Sequence, residues 1–297
     1  MPRAGWKTNP FRTKKPSLTL GDQQGFMEAM SNIEERKLDL ILTSPGGSPE
    51  AAEAIMGYLR TRFDHIRAVV PVAAMSAATM MALACDEILM GTHSQLGPID
   101  PQFTLMTPEG PRSSPGQAII DQFEMAKTEC QDPRNIGAWL PLLRSLTPGL
   151  IAQCIHSRDR AEEFVAEQLG AHMLEGNHVK AKDVAKWFAD FSRFKSHGRP
   201  VTVFDAQQQG LKVTRLEDDQ TLQDLVLSVH HATRHTFNDT GTTKLIENHH
   251  GRAYLQISTQ VVVPGPPTGP QPPGPQPAMN RERRRQQQRQ NKKKGRR

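Results

Sequence analysis

The sequence is poor in cysteine and in aromatic residues. Its three cysteines, Cys85, Cys130 and Cys154, are odd in number and show no metal-ligand spacing such as C-x-x-C. This pattern argues against a disulfide framework and against a cysteine-based zinc site. Free cysteines are typical of a reduced compartment, so the sequence predicts a cytoplasmic protein. Aromatic residues make up 5% and hydrophobic residues 36% of the 297 positions, so the apolar side chains that a core needs must be concentrated in part of the chain.

Long apolar runs are also missing. The longest apolar stretch, residues 68–84, is interrupted by Pro71, Ser76 and Thr79. It is shorter than the roughly 20 residues that cross a bilayer. The first 16 residues are basic but lack the apolar segment of a secretory signal. We therefore expect a soluble protein with no transmembrane segment.

Core-forming side chains are nearly absent after residue 263. Residues 264–277 form a Pro/Gly/Gln tract, which favours extended conformations and cannot pack a core. Residues 281–297 hold seven Arg and three Lys against one Glu, a net charge of +9. Because the whole chain carries +6, residues 1–280 sum to −3. The basic character of the protein therefore belongs to its tail.

These shifts in composition predict three parts: a flexible N-terminal arm over residues 1–16, one folded domain over 17–260, and a disordered linker and basic tail over 261–297. A polycationic tail suits binding to nucleic acid or another polyanion, and it equally suits a solubilising role.

Short apolar runs alternate with amphipathic segments between residues 38 and 90. This pattern predicts strands at 38–43, 66–72 and 87–90, separated by helices at 48–62 and 76–84. Alternating strands and helices imply an α/β fold with parallel strands and right-handed crossovers. Beyond this region we expect a loop over 91–118, a hairpin over 242–258, and helices at 21–36, 116–130, 147–169, 178–191, 202–209 and 221–236.

Two features follow neighbouring strands of the predicted sheet. Gly46 and Gly47 form a turn after the first strand, and Ser76 stands alone among small apolar residues after the second. Backbone N–H groups at a glycine turn are free to stabilise an oxyanion. The carboxyl ends of adjacent parallel strands open onto one crevice. The sequence therefore predicts an oxyanion hole beside a serine nucleophile.

Four segments together resemble the Clp/crotonase superfamily, and in particular its serine dehydrogenase proteinase family, which is related to signal peptide peptidase A. They are SPGGS from Ser44, AMSAAT from Ala74, ALACDEI from Ala82 and LGPIDPQ from Leu96. The resemblance implies a β-α-β spiral superhelix with predominantly parallel strands that often forms homo-oligomers.

It also implies a serine peptidase that needs no metal or other cofactor and acts on a peptide or protein substrate. On this match Ser76 is the nucleophile, and the backbone of Gly46, Gly47 and Ala77 lines the oxyanion hole.

The resemblance leaves the general base open. Clp-type enzymes carry a histidine about two dozen residues after the serine, but this sequence has Ile99-Asp100-Pro101 there. Signal-peptide-peptidase-type enzymes use a lysine about fifty residues after the serine, and Lys127 lies at that separation from Ser76. An amine acts as a base only when it is neutral, so this role requires a buried lysine.

Three further residues bear on the base. Lys195 and His197 lie in a loop-like stretch before a predicted helix, and either could accept the serine proton. Asp100 could orient a base or cap a turn. Lys127, Lys195 and His197 therefore all remain candidates.

A histidine-rich segment raises the question of a metal. His231 and His235 form an i, i+4 pair on a predicted helix, but no glutamate follows as in H-E-x-x-H, and no third ligand is evident. His249 and His250 are expected in an exposed turn. The sequence therefore predicts no metal site.

Three functions fit these features to different degrees. A serine peptidase uses Ser76 as well as the glycine turn. A crotonase-like acyl-CoA enzyme would share the oxyanion hole but has no need of the serine. A non-catalytic oligomeric scaffold would account for the missing Clp-type histidine and the basic tail. The serine peptidase explains most of the pattern.

Overall fold

A computed structural model of the protein describes residues 17–107 and 110–258. The predicted N-terminal arm, the linker and the basic tail lie outside the described residues, so the predicted domain boundaries and the polyanion-binding role of the tail stay predictions. None of the helices in the described ranges is long and apolar enough to cross a membrane.

The strands follow the predicted pattern closely between residues 37 and 90. The main sheet has four parallel strands in the order β1-β2-β4-β8. The remaining strands form three two-stranded sheets, in which β3 pairs with β5, β6 with β7 and β9 with β10. The strands are β1 (Lys37–Ile41), β2 (His65–Val70), β3 (Ala73–Ala74), β4 (Glu87–Met90), β5 (Gln95–Leu96), β6 (Gln102–Thr107), β7 (Gly110–Pro115), β8 (Val213–Arg215), β9 (Thr242–Glu247) and β10 (Ala253–Ile257).

The helices connect these strands and cover the sheet. They are α1 (Asp22–Ala29), α2 (Pro49–Arg62), α3 (Ala77–Leu83), α4 (Gly116–Glu129), α5 (Ile136–Ser145), α6 (Leu150–Ala171), α7 (His178–Ala189), α8 (Phe191–Phe194), α9 (Val203–Gln208) and α10 (Gln220–Asp239), with short 3-10 turns at Pro133–Asn135 and Leu216–Asp218. Ser48 caps α2 as expected, since its hydroxyl accepts a hydrogen bond from Ala51 N at 3.2 Å.

A second layer of short extended segments repeats the strand order of the main sheet. After β1, the chain continues to Ser44, which pairs with Ala74 of β3, and β3 in turn pairs in parallel with β5. Each of β1, β2 and β4 is thus followed by a short second strand segment. This repeated unit confirms the predicted α/β fold of parallel strands arranged as a β-α spiral.

The core lies between the main sheet and helices α2, α3, α6 and α7. Fully buried side chains include Ile55, Phe63, Met81 and Phe188. Cys85 belongs to this core, and burial raises the pKa of its thiol to about 12. Its thiol is therefore protonated and serves as a small apolar group.

The prediction of a loop over residues 91–118 is wrong in large part. This stretch contains β5 and the hairpin β6–β7, in which Phe103 pairs with Ser114 and Leu105 with Arg112. Glycine, proline and serine in β7 mask the strand pattern, whereas Phe103 and Leu105 alternate toward a small apolar cluster under α4 and α6. The sequence analysis did not predict helix α5. The first predicted helix, over residues 21–36, is shorter in the structure, where α1 ends at Ala29.

The predicted C-terminal hairpin is confirmed as β9–β10, and it packs on α1. Lys244 Nζ lies 2.6 Å from both carboxylate oxygens of Asp22 and 2.8 Å from the Ser17 carbonyl oxygen. Asp22 is fully buried and the Lys244 side chain is 14% exposed. A Cβ atom on Gly25 would come within 2.6 Å of the Tyr254 ring. The start and the end of the described chain are therefore joined by an ion pair and by close packing.

Replacing Lys244 by alanine should lower the free energy of unfolding by about 3–5 kcal/mol, because it leaves the buried Asp22 carboxylate without its cation. Urea unfolding followed by circular dichroism would measure this loss. The matched control is Lys182→Ala on an exposed position of α7, which should change the free energy by less than about 0.5 kcal/mol. Equal effects of the two substitutions would contradict the role of this ion pair.

Candidate active site

Ser76 has an unusual backbone conformation. It lies directly before α3 with φ 53° and ψ −121°. Among the described residues it is one of two non-glycine positions with positive φ, the other being Lys195. Such conformations cost about 1–3 kcal/mol and persist only where the surroundings impose them. The fold therefore forces Ser76 into a strained turn between β3 and α3.

The glycine turn lies against Ser76, as the sequence predicts. Gly46 has φ 93°, and a Cβ atom there would approach the Met75 carbonyl oxygen to 2.6 Å and Ser76 Cβ to 2.7 Å. A side chain on Gly47 would overlap the backbone of Leu18. Leu18 N donates to Gly46 O at 2.8 Å, and Ser48 N donates to Leu18 O at 2.9 Å. Glycine is required at both positions because the neighbouring backbone is too close for any side chain.

The three predicted oxyanion-hole residues differ in their hydrogen bonding. Gly46 N donates to Ser44 Oγ at 3.2 Å. The backbone N–H groups of Gly47 and Ala77 have no hydrogen-bond partner within residues 17–107 and 110–258. These two donors flank the Gly46–Ser76 contact, so they are the groups available to a developing oxyanion.

His197 and Asp100 form a pair that the sequence did not predict as such. His197 Nδ1 lies 2.8 Å from Asp100 Oδ1, and Gln102 Nε2 donates to Asp100 Oδ2 at 2.7 Å. The Asp100 side chain is 2% exposed and that of His197 is 27% exposed. With a proton on Nδ1, this geometry leaves Nε2 of His197 free to accept a proton.

The segment that carries Asp100 is attached to the Ser76 turn. Gly97 N donates to Thr79 Oγ1 at 2.9 Å, and Thr79 Oγ1 donates to Ala74 O at 2.7 Å. A Cβ atom on Gly97 would come within 2.5 Å of the Met75 methyl carbon. Thr79 is fully buried. The sequence analysis did not predict a role for Thr79. The available signal was its position in the AMSAAT segment, three residues after Ser76.

The loop that carries His197 is attached to the same segment from the other side. Leu96 N donates to Val201 O at 3.0 Å, and Val201 N donates to Leu96 O at 2.9 Å. Val201 follows His197 by four residues, just as Asp100 follows Leu96 by four. The antiparallel pairing of Leu96 with Val201 therefore brings His197 and Asp100 together.

Lys127 does not meet the burial that its predicted role requires. Its side chain is 59% exposed, and Nζ lies 2.8 Å and 3.0 Å from the two carboxylate oxygens of Glu124. A lysine that acts as a base must be neutral, which requires burial. Its role as a base stays a prediction that the contacts of the described chain do not support.

Lys195 has a structural role in the described chain. It ends α8 in the left-handed conformation with φ 57°, and its N–H donates to Phe191 O at 2.7 Å. This is the usual geometry of a helix C-terminus. Within residues 17–107 and 110–258, His197 is the one base candidate of the three with a buried carboxylate as partner.

Comparison with known proteins gives one family. A family model described as ClpP-like SDH-type serine proteinase matches residues 17–226. Two uncharacterized proteins of Methanocaldococcus jannaschii, MJ0137 and MJ1495, are each 28% identical to this chain over 197 residues, which is 66% of the chain. The matched region spans 60% of the first relative and 59% of the second, so the chain covers less than two thirds of either.

Two solved structures are similar to this chain at lower sequence identity. The 1510-N membrane-bound stomatin-specific protease, as a variant in complex with a substrate peptide, has a TM-score of 0.41 and 15% identity, covering 82% of this chain and 84% of that chain. A variant of ClpP1 from Listeria monocytogenes has a TM-score of 0.37 and 12% identity, covering 70% of this chain and 90% of that chain. Likeness of this size carries no inference about activity.

The strain at Ser76 leads to a prediction about stability. Both Ser76→Gly and Ser76→Ala remove the hydroxyl, but only glycine adopts positive φ without strain. We expect Ser76→Gly to be more stable than Ser76→Ala by about 1 kcal/mol, since relief of strain exceeds the entropic cost of glycine. Urea unfolding of the two variants side by side would measure the difference. Equal stability would show that the turn imposes no strain.

Proposed function

The chain belongs to the family of ClpP-like SDH-type serine proteinases, and from this premise we propose that it cleaves peptide bonds through an acyl-enzyme on Ser76. In this proposal His197 is the general base and Asp100 orients its imidazole. The observation that carries it is the 2.8 Å contact between His197 Nδ1 and the buried Asp100 carboxylate. Membership of this family favours a peptidase over the acyl-CoA enzyme and the scaffold.

The first step is attack of Ser76 Oγ on the carbonyl carbon of a peptide bond. His197 Nε2 takes the hydroxyl proton as the new C–O bond forms, and the carbonyl electron pair moves to the oxygen. The N–H groups of Gly47 and Ala77 stabilise this oxyanion. Asp100 accepts the hydrogen bond from Nδ1–H, which fixes the tautomer and stabilises the imidazolium.

Collapse of the tetrahedral intermediate breaks the C–N bond. The leaving amine takes the proton from His197 Nε2 and departs, and an ester on Ser76 remains. A water molecule then attacks this ester, again with His197 accepting a proton, and Ser76 Oγ recovers a proton when the acid product leaves. No cofactor is needed for either half of this reaction.

Labelling by a fluorophosphonate probe tests these assignments, because the probe reacts with an activated serine. We expect the wild-type chain to label and Ser76→Ala not to label. His197→Gln and Asp100→Asn should slow labelling by roughly 10²–10⁴-fold, the usual contribution of general base catalysis. Intact-mass spectrometry measures the rate.

Two control variants test whether the loss of labelling is specific to His197. Lys127→Ala should leave the labelling rate unchanged, as should His156→Gln, which alters an exposed histidine on α6. Loss of labelling in Lys127→Ala, with His197→Gln unaffected, would overturn the assignment of His197 in favour of the lysine. No labelling of the folded wild-type chain at any pH would overturn the acyl-enzyme itself.

A second copy of this chain is the partner proposed for α5. None of the ten residues of α5 is buried, although Ile136 is 44%, Leu140 41% and Leu142 47% exposed and all three are apolar. A small pocket lies between α4 and α5 and is lined by Ile119, Gln122, Phe123, Trp139, Leu142, Leu143 and Leu146. A helix this short depends on packing for its stability. Self-association would cover this face and agrees with the homo-oligomer expected from the sequence.

Light scattering after gel filtration tests this partner. We expect the wild-type chain to have a mass of at least two copies and the double variant Leu140→Ser/Leu142→Ser to shift toward the monomer mass of 33.1 kDa. Leu225→Ser removes a leucine of α10 that is 61% exposed, and it should leave the mass unchanged. A monomeric wild type, or a double variant that still associates, would contradict the proposal.

A further inference from the structure

Three metal-ligand side chains meet at the tip of the β9–β10 hairpin. His249 Nε2 lies 3.8 Å and His250 Nε2 lies 3.9 Å from Glu35 Oε1. The ligand atoms of all three residues lie within 4.8 Å of one another. Within residues 17–107 and 110–258 this is the one group of three such side chains at this spacing.

The backbone around these side chains is fixed by Asn248. Its Nδ2 donates to Ala29 O and, at 3.0 Å, to Asn32 Oδ1, which lie at and just after the end of α1. Its Oδ1 accepts hydrogen bonds from His250 N at 2.9 Å and from Arg252 N at 3.0 Å. One side chain thus holds the hairpin turn and joins it to the segment that leads to Glu35.

The two strands of the hairpin are also attached to α1, which fixes the position of the turn. The Asp22–Lys244 ion pair and the contact of Gly25 with Tyr254 already attach both strands to α1. The two histidines and Glu35 are therefore presented by two segments whose relative position does not depend on the three side chains themselves. This is the condition for a preorganised binding site.

The electrostatics favour a cation between the three groups. The imidazole rings of His249 and His250 have centroids 4.0 Å apart, and one nitrogen of each ring lies within 3.9 Å of the same carboxylate oxygen. A hydrogen bond from its own backbone N–H lowers the pKa of Glu35, with smaller contributions from Glu34 N–H and the two histidines. The group therefore brings one nitrogen from each imidazole ring and one carboxylate oxygen to the same point.

We propose that His249, His250 and Glu35 bind a divalent transition-metal ion of the Zn²⁺ type, with water in the open position. Two imidazole nitrogens and one carboxylate oxygen are a common donor set for Zn²⁺, whereas Ca²⁺ and Mg²⁺ prefer oxygen ligands alone. Tetrahedral Zn²⁺ needs donor atoms about 3.4 Å apart. Side-chain movements that shorten the separations by about 1.4 Å or less would therefore close the site.

The bound ion would tie the hairpin to the connection between α1 and β1. The hairpin lies beyond the region that the family model matches, which ends at residue 226. The ion would therefore stabilise the β9–β10 hairpin and would take no part in the reaction proposed for Ser76. The sequence predicted no metal site because its ligands come from opposite ends of the folded region.

Isothermal titration of the untagged, chelator-treated full-length chain with ZnCl₂ tests this site. We expect one ion per chain, with affinity lowered by more than about 100-fold in His249→Ala/His250→Ala and by roughly 10-fold in Glu35→Gln, since each removes a ligand. Zn²⁺ should also raise the thermal midpoint of the wild type but not of the double variant. Fluorophosphonate labelling should be unaffected by Zn²⁺ removal.

The matched control is His231→Ala/His235→Ala, which removes the i, i+4 histidine pair of α10. It should leave the stoichiometry and affinity unchanged. Zn²⁺ binding that survives in His249→Ala/His250→Ala, or that disappears in the α10 variant, would place the ion elsewhere and overturn the proposal. Absence of binding to the wild type at micromolar Zn²⁺ would overturn it as well.

Discussion

The contact of Gly46 with the Met75–Ser76 peptide is the constraint on which the candidate active site depends. The two turns approach so closely that a single Cβ atom would come within 2.7 Å of Ser76 Cβ. This approach requires that β1 and β2 be neighbours and parallel, so that both strands end at the same edge of the sheet. It also accounts for the positive φ of Ser76, because the turn into α3 must pass beside the glycine backbone without displacing it.

The pairing of Leu96 with Val201 brings the proposed base His197 to the Asp100 carboxylate. Asp100 is almost fully buried, and a carboxylate in that position needs hydrogen-bond partners. His197 and Gln102 supply them. The hydrogen bond between His197 and Asp100 satisfies the buried carboxylate and also orients the imidazole ring. It therefore contributes to the stability of the loop that carries His197 and to the chemistry proposed for that residue. Lys127, by contrast, forms an ion pair with Glu124, an exposed residue of the same helix.

The C-terminal hairpin holds the N-terminal segment of the described chain in place through an ion pair. Asp22 begins α1, and its carboxylate is neutralised by Lys244 from β9. Leu18, four residues before Asp22, is bonded to the backbone of Gly46 and Ser48 beside Ser76. The hairpin therefore supports the N-terminal segment that borders the glycine turn, and an ion at its tip would strengthen the same support from the far end of α1.

The sequence by itself determined the main elements of the core and the serine and glycine turn proposed for the reaction. The strands β1, β2 and β4, the cap at Ser48 and the hairpin turn could all be read from it, since each depends on neighbours close in the chain. The contact of Gly46 with Ser76 was expected from the order of the strands, but it also depends on the parallel pairing of β1 with β2. Only the tertiary structure decided which base candidate has a buried partner, that residues 102–115 pair as a hairpin, and that Glu35 meets His249 and His250. These depend on contacts between distant segments, which local periodicity and spacing do not encode.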